Sequence, residues 1–335
     1  MKAVDVVLVT VVLGVGALAF IKRDVLFKYL NKQSASNSSP SDSNDSTPAP
    51  TTPQGAGSDG VGWIYPSKPN GYLWYMSQTK PLEGDSGTLA IGRAITWSAI
   101  NKSSDGKMWK TNAKPGATVK FNLNLGKQAQ GDAIGGCKMD YGQSLSRGYT
   151  YKTNVDVGNI EFTAFFRANN ACTNDGIFLR GPCNHHSGSP CCQEYDYDVR
   201  VKPGPGGYVV FTKDHPDAAN NFKDPGGKKS VNIPLNQVFG VKYIHMVKSR
   251  DPKNPRVRLE CWLNLNGDKK TWSLVHSVED YNGYNWGNPK ASCGGTPYQV
   301  GAWRSPRMVV KWYGCSVDFN WWSMREIAPS GAVTF

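Results

Sequence analysis

The chain has 335 residues and a formal net charge of +12, from 38 Lys and Arg against 26 Asp and Glu. A basic balance of this size suits an acidic polymer, whether nucleic acid, anionic membrane or acidic polysaccharide, and it also suits an ordinary soluble surface. The basic residues are scattered, with no Lys/Arg block, zinc-finger spacing, RNA-recognition signature or basic helix, so nucleic acid is set aside as a partner.

The chain opens on "VDVVLVTVVLGVGALAFIKRD", in which Val6–Ile21 carries no charge. That run is short for a spanning helix, which needs roughly 17–25 residues, but feasible if its flanks contribute. Ala17-Leu18-Ala19 also fits a small-x-small cleavage site, so a signal peptide competes with an uncleaved anchor. The anchor is preferred because the leading charge is poor, Lys2 being offset by Asp5. Lys22, Arg23, Lys28 and Lys32 follow the run, and the positive-inside tendency would keep the rest of the chain cytoplasmic. Eight cysteines, and the sequons at Asn37, Asn44 and Asn101, argue for an oxidising, extracellular side. A virion protein anchored in an internal membrane would reconcile the two, with other virion or envelope proteins as partners.

Residues 33–60 contain no apolar residue larger than Pro. They cannot bury enough surface to offset chain entropy, and the expectation is a disordered tether. From Val61 onward short runs alternate apolar and polar residues between Gly, Pro and Asn breaks. Strands are expected at 117–125, 159–168, 176–180, 194–202, 207–213, 239–249, 256–266, 271–278, 307–314 and 317–327. "PGPGG" at 203–207 and Asn266-Gly267 read as hairpin turns. No long helical period and no internal repeat appear after residue 60. The expected class is all-β, two packed antiparallel sheets. The expected division is 1–32 anchor (or signal peptide) and basic flank, 33–60 tether, 61–328 sandwich and 329–335 tail.

Six segments carry a resemblance: "IYPSKPNGYLWYM" (64–76), "GNIEFTAFFRA" (158–168), "NHH…C…YDYDVRV" (184–201), "FGVKYI…RVRLECWLN" (239–264), "CGGTPYQVGAW" (293–303) and "VDFNWWSMREI" (317–327). In this order they resemble a family of concanavalin A-like jelly-roll proteins, mostly uncharacterised, from soil and marine archaea and environmental sequences. The resemblance covers about residues 62–328. It implies the sandwich shared by legume lectins, family-16 glycoside hydrolases and several polysaccharide lyases, without fixing an activity. It also implies a disulfide between Cys293 and Cys192 or Cys191, leaving Cys137 for a remaining partner.

"GPCNHHSGSPCCQEYDYDVRVK" (181–202) is the densest run of chemistry. Strand alternation should place Tyr195, Tyr197, Val199 and Val201 in the core, and Glu194, Asp196, Asp198, Arg200 and Lys202 on the other face. Glu194-x-Asp196-x-Asp198 resembles the E-x-D-x-E strand of family-16 glycosidases, departing at Asp198, where that motif has Glu. Arg200 and Lys202 continue the row, and such neighbours lower carboxylate pKa values, which favours binding over acid catalysis. A lyase would need a base, an acid and a group to neutralise a uronate. His185, His186 or His245, then Tyr197, Tyr243 or Tyr313, then Asn184 or Arg200 are the candidates. His185-His186 and Cys191-Cys192 match no zinc spacing, and no metal site is assigned. No cofactor is required, although a structural calcium, common in this fold, could use a loop carboxylate such as Asp175.

Cys172 and Cys183 bracket one short strand and could be joined if the chain curls back. Cys261 and Cys315 lie on expected core strands and could meet across a sheet. The chain has 11 Trp and 15 Tyr, more aromatic surface than a sandwich core needs. Trp262 should share a face with Arg258 and Glu260, while Trp286, Tyr298 and Trp303 fall in loops, so these could stack on sugar rings. Trp312 and Trp321, in phase with Val310 and Phe319, are expected in the core. The leading expectation is a membrane-tethered surface domain that binds an acidic polysaccharide through Asn184, Asp196, Lys202, Arg258, Trp262 and Trp303. The alternative from another class is a lyase using His186, Tyr197 and Arg200, or a glycosidase using Glu194 and Asp198. A structural or attachment protein of a virion is the third.

Overall fold

The computed structural model describes residues 55–79, 88–93, 100–111, 118–124, 158–173, 176–181, 196–214, 222–251, 253–284, 286 and 307–334. The expected anchor and the tether as far as residue 54 lie outside these residues.

Among the described residues sixteen strands form two antiparallel sheets, and no helix occurs. In chain order they are β1 (Leu73–Tyr75), β2 (Thr88–Arg93), β3 (Ile100–Lys102), β4 (Trp109–Thr111), β5 (Thr118–Asn124), β6 (Ile160–Ala168), β7 (Ile177–Arg180) and β8 (Asp196–Lys202). Then come β9 (Tyr208–Asp214), β10 (Phe222–Lys223), β11 (Lys229–Ser230), β12 (Val238–Ser249), β13 (Arg256–Asn264), β14 (Ser273–Tyr281), β15 (Arg307–Tyr313) and β16 (Val317–Glu326). The first sheet runs β14-β13-β12-β6-β16-β4-β3, with β1 on β16; the second runs β10-β9-β8-β7-β15-β5-β2, with β11 on β9. All ten expected strands form. The β8–β9 turn at 203–207 works because Gly204 and Gly206 adopt φ of 95° and 66°.

The core lies between the sheets and is aromatic. Phe121, Phe162, Phe166, Phe211, Tyr243, Trp312, Phe319 and Trp322 are all fully buried. Phe319 and Trp322 pack with ring centroids 4.8 Å apart, and Phe121 with Phe319 at 5.2 Å. The alternation expected for β16 breaks here. A register shift between Asn320 and Ser323, with Trp321 at φ 48°, sends Trp322 into the core. Trp321 instead packs edge-on against Phe165 on the outer face of the first sheet, with Lys269 Nζ 3.8 Å over its ring.

That outer face carries a second apolar layer formed by Val61, Ile64, Phe165, Ile244, Met246, Trp262, Trp272 and Ile327. Its cover is a strap that begins inside the expected tether. Trp63 N donates to Gly55 O at 2.8 Å, Gly57 N to Val61 O at 2.9 Å, and Gly62 N to Lys269 O at 2.8 Å. The expected tail is also part of the body, since Val333 N donates to Val247 O at 2.8 Å and Asn159 Nδ2 to Val333 O at 2.7 Å.

Cys172 is bonded to Cys315, with Cα atoms 4.5 Å apart. Neither the 172–183 nor the 261–315 pairing therefore forms. The end of β6 lies beside the β15–β16 turn, where Asn169 N donates to Ser316 O at 2.9 Å, and this brings the two cysteines together. Cys261 points into the core from β13 as a buried free thiol, and burial pushes its pKa up.

Candidate functional site

Strand β8 divides as alternation dictates. Tyr197, Val199 and Val201 are buried in the core. Asp198 and Arg200 face outward, yet they are 1% and 2% exposed. Asp198 Oδ1 accepts from Arg200 Nε at 2.9 Å and from the Thr212 hydroxyl, and Oδ2 accepts from Arg180 Nη2 at 2.9 Å. Burial alone would raise this carboxyl, but the Arg200 and Arg180 charges hold it below the ordinary carboxylate range. Asp198 is thus an ion-pair acceptor and does not serve as a glycosidase's proton donor.

The register of the second sheet sets basic positions in line. Arg200 pairs with Phe178, Phe178 with Lys311, Lys311 with Lys120, and Lys120 with Arg93. This rank crosses β8, β7, β15, β5 and β2. The Arg200 guanidinium lies 4.4 Å over the Phe178 ring, and Lys311 Nζ lies 4.4 Å over Tyr313. Phe178 and Tyr313 meet edge to face at 5.1 Å. Beside the rank, Lys202 is paired in register with Tyr208, whose ring has Lys228 Nζ 4.0 Å above it. Lys228 is exposed, and Lys202, Lys311 and Tyr313 are half-buried. Cations over aromatic faces are attracted by the ring quadrupole, which keeps Lys228 and Lys311 in place while they remain able to meet an anion, whereas Arg200 is buried in its pair with Asp198.

The residues expected to share one glycan site do not meet. Arg258 and Trp262 stand on β13 in the first sheet, whereas Lys202 and Asp196 stand on β8 in the second. Trp262 is 4% exposed beneath the strap, and its Nε1 donates to Glu260 Oε2 at 2.9 Å. Glu260 also receives Arg258 Nε at 2.7 Å and the Tyr65 hydroxyl at 3.0 Å. Trp262 is therefore a packed residue and offers no open platform. Its face was legible from alternation, but its cover was not, because the strap begins in the expected tether at 55–60 and its covering residues Val61, Ile64 and Tyr65 lie far from β13 in sequence. Trp286, expected in a loop, is 1% exposed in the core.

The lyase candidates also separate. Tyr197 points inward and Arg200 outward, so they cannot act on one substrate. Tyr197 donates its hydroxyl to Asp280 Oδ2. Tyr243 is fully buried, with its hydroxyl toward Tyr197 O at 3.4 Å. His245 is 1% exposed, its Nδ1 2.9 Å from Gly158 O. His276, the other histidine among the described residues, pairs its Nε2 with Asp224 Oδ2 at 3.0 Å between the sheets.

Sequence reasoning missed a second interior ion pair. Lys213 Nζ lies 2.6 Å from Asp280 Oδ2, and neither side chain has any exposure. The signal was present, since Lys213 is in phase with core residues Val209 and Phe211, and Asp280 with Val278. Asn184, His185, His186, Glu194, Trp303, Tyr298, Asp175, Cys137, Cys183, Cys191, Cys192 and Cys293 lie outside the described residues. Among the described residues no group of three or more His, Cys, Asp or Glu could hold a metal ion.

No protein-family model matches the chain, and no curated protein matches it in sequence. Solved structures give distant likenesses. The alginate lyase Aly36B in complex with alginate tetrasaccharide is 12% identical with a TM-score of 0.35, covering 80% of this chain and 98% of that one. The exoplasmic/lumenal domain of VIP36 in its Ca2+/Man3GlcNAc-bound form is 8% identical with a TM-score of 0.37, covering 74% and 85%. The marine PL-14 alginate lyase from Aplysia kurodai is 8% identical with a TM-score of 0.34, covering 68% and 87%. At TM-scores below 0.5 these likenesses assign neither fold family nor activity to this chain.

Proposed function

We propose that the domain binds an anionic polysaccharide across the outer face of its second sheet. The carrying observation is the basic rank Lys311–Lys120–Arg93 in register across β15, β5 and β2, extended to β8 by the half-buried Lys202, whereas Arg200 is closed off by its pair with Asp198. Strands in a sheet stand roughly 4.8 Å apart, so the extended rank spans roughly 19 Å. A polyanion laid across the strands would meet these basic positions and the exposed Lys228, while a sugar face rests against the half-buried Tyr313. The chain's charge of +12 would add long-range attraction.

The sandwich is of the concanavalin A-like type in this reading. Residues 1–32 anchor it to a membrane, and the Ser/Pro/Thr-rich segment that follows lets it stand off the surface, outside the cell. Binding without catalysis is preferred because both described histidines are turned inward and Asp198 is held ionised by two guanidiniums.

Affinity electrophoresis of the full chain tests the reading, using gels that carry alginate, pectate, a sulfated glycan or a neutral glucan. Retardation in the anionic gels alone is expected. In parallel assays neither the ultraviolet absorbance of an unsaturated product nor new reducing ends should appear. Equal retardation in the neutral gel, or product in either assay, would contradict it.

A further inference from the structure

We propose that Lys213 and Asp280 condense into an intramolecular isopeptide bond that staples the two sheets together. Lys213 projects from β9 of the second sheet and Asp280 from β14 of the first, 67 residues further along the chain. Nζ lies 2.6 Å from Oδ2, both side chains are wholly buried, and Nζ also donates to Trp286 O at 3.3 Å. The rings of Tyr197 and Trp286 stand 5.6 and 5.7 Å from Nζ. Asp280 Oδ1 is buried without a hydrogen-bond partner.

An ionised pair is costly in such surroundings. Burial pushes Lys213 down against the pull of Asp280, and burial pushes Asp280 up against the pull of Lys213. Both shifts lead toward the neutral amine and neutral acid that condensation requires.

The molecule contains its own contrast. Lys242 Nζ lies 2.8 Å from Glu161 Oε1, and that pair is equally buried. There, however, the other Glu161 oxygen receives Arg325 Nη2 at 2.5 Å, Ile64 N at 3.1 Å and Tyr65 N at 3.3 Å. Burial would raise Glu161, but Lys242, Arg325 and these donors hold it below its ordinary value. A carboxylate stabilised in this way is a poor electrophile, and Asp280 lacks that shell.

The step balances without a co-reactant. The neutral Nζ attacks Cγ and forms the N–C bond. The bond from Cγ to the Oδ1 hydroxyl breaks, that hydroxyl takes a proton from Nζ, and water leaves. Oδ2 becomes the amide oxygen. The Tyr197 hydroxyl, already donating to Oδ2, stabilises the charge that oxygen carries in the tetrahedral intermediate. Trp286 O holds the amine in place and accepts from the product amide. The reactants are fixed in contact before reaction, which removes most of the entropic barrier to joining them.

Peptide mapping of the full chain by tandem mass spectrometry, after reduction and alkylation, tests this directly. The expected result is no tryptic cleavage at Lys213 and a branched peptide joining it to the Asp280 peptide, one water below their sum. The Lys242 and Glu161 peptides should stay linear. Asp280→Asn should give the same branched peptide by loss of ammonia, and Lys213→Met should abolish it. Should Lys213→Met fail to fold, Tyr197→Phe keeps the pair and should lower the linked fraction. Wild-type protein that yields only linear peptides, cut at Lys213, would overturn the proposal.

Discussion

Replacing Asp198 by Asn removes a carboxylate that bonds both Arg180 and Arg200. Both guanidiniums stay buried, with side chains 10% and 3% exposed. Removing one partner of a buried ion pair typically costs about 3–5 kcal/mol. The slight exposure of Arg180 and the oxygen Asn keeps for Thr212 place the expectation near the lower end. At roughly 2–4 °C per kcal/mol for a domain of this size, Tm should fall by on the order of 10 °C. The pH dependence fixes the sign. The folded pKa of Asp198 is depressed below its unfolded value of about 3.9, so its contribution is fully present above that value. The contribution is lost as pH falls through the folded pKa. Wild type and Asp198→Asn should therefore differ most near neutrality and converge in acid, as read by urea unfolding across pH. An Asp198→Asn protein as stable as wild type at pH 7, or a gap that widens in acid, would refute the ion-pair role.

Other expectations follow from particular contacts. Cys172→Ser with Cys315→Ser opens a cross-link of sequence separation 143, worth up to about 5 kcal/mol by loop-closure entropy, so the variant should melt below wild type, and a reducing agent should lower its Tm by less than it lowers that of wild type. Cys261 should stay unreactive toward thiol reagents until the domain unfolds, because burial raises its pKa and excludes the reagent. Tyr65→Phe leaves the strap one hydrogen bond short at Glu260 and should cost about 1.5–3 kcal/mol by denaturant titration. No loss there would contradict a strap that is part of the folded body.

The long strands were legible because each pairs a period-two pattern with β-branched and aromatic residues, as in "IEFTAFFRA". The missed strands, β1, β2, β3, β4, β10 and β11, run from two to six residues, and the shortest hold too few positions for a period to show. Alternation gave the direction of Asp198, Arg200 and Trp262 but not what lies over them. Cover comes from residues distant in sequence: Arg180 and Thr212 over Asp198, and the strap over Trp262. The β16 bulge defeated alternation by one residue and exchanged Trp321 for Trp322. Cysteine pairing was unreadable because the Cys172–Cys315 approach depends on which strand ends become neighbours.

The most direct test of the binding face is a titration of the full chain with alginate, comparing wild type with Lys311→Ala and Lys202→Ala. Loss of one charged contact worth about 1.4 kcal/mol weakens binding about tenfold. Each variant should show a loss of that order, binding should weaken as salt rises, and thermal stability should be unchanged. Wild-type affinity in both variants, or binding indifferent to salt, would contradict an anionic polysaccharide lying across this face.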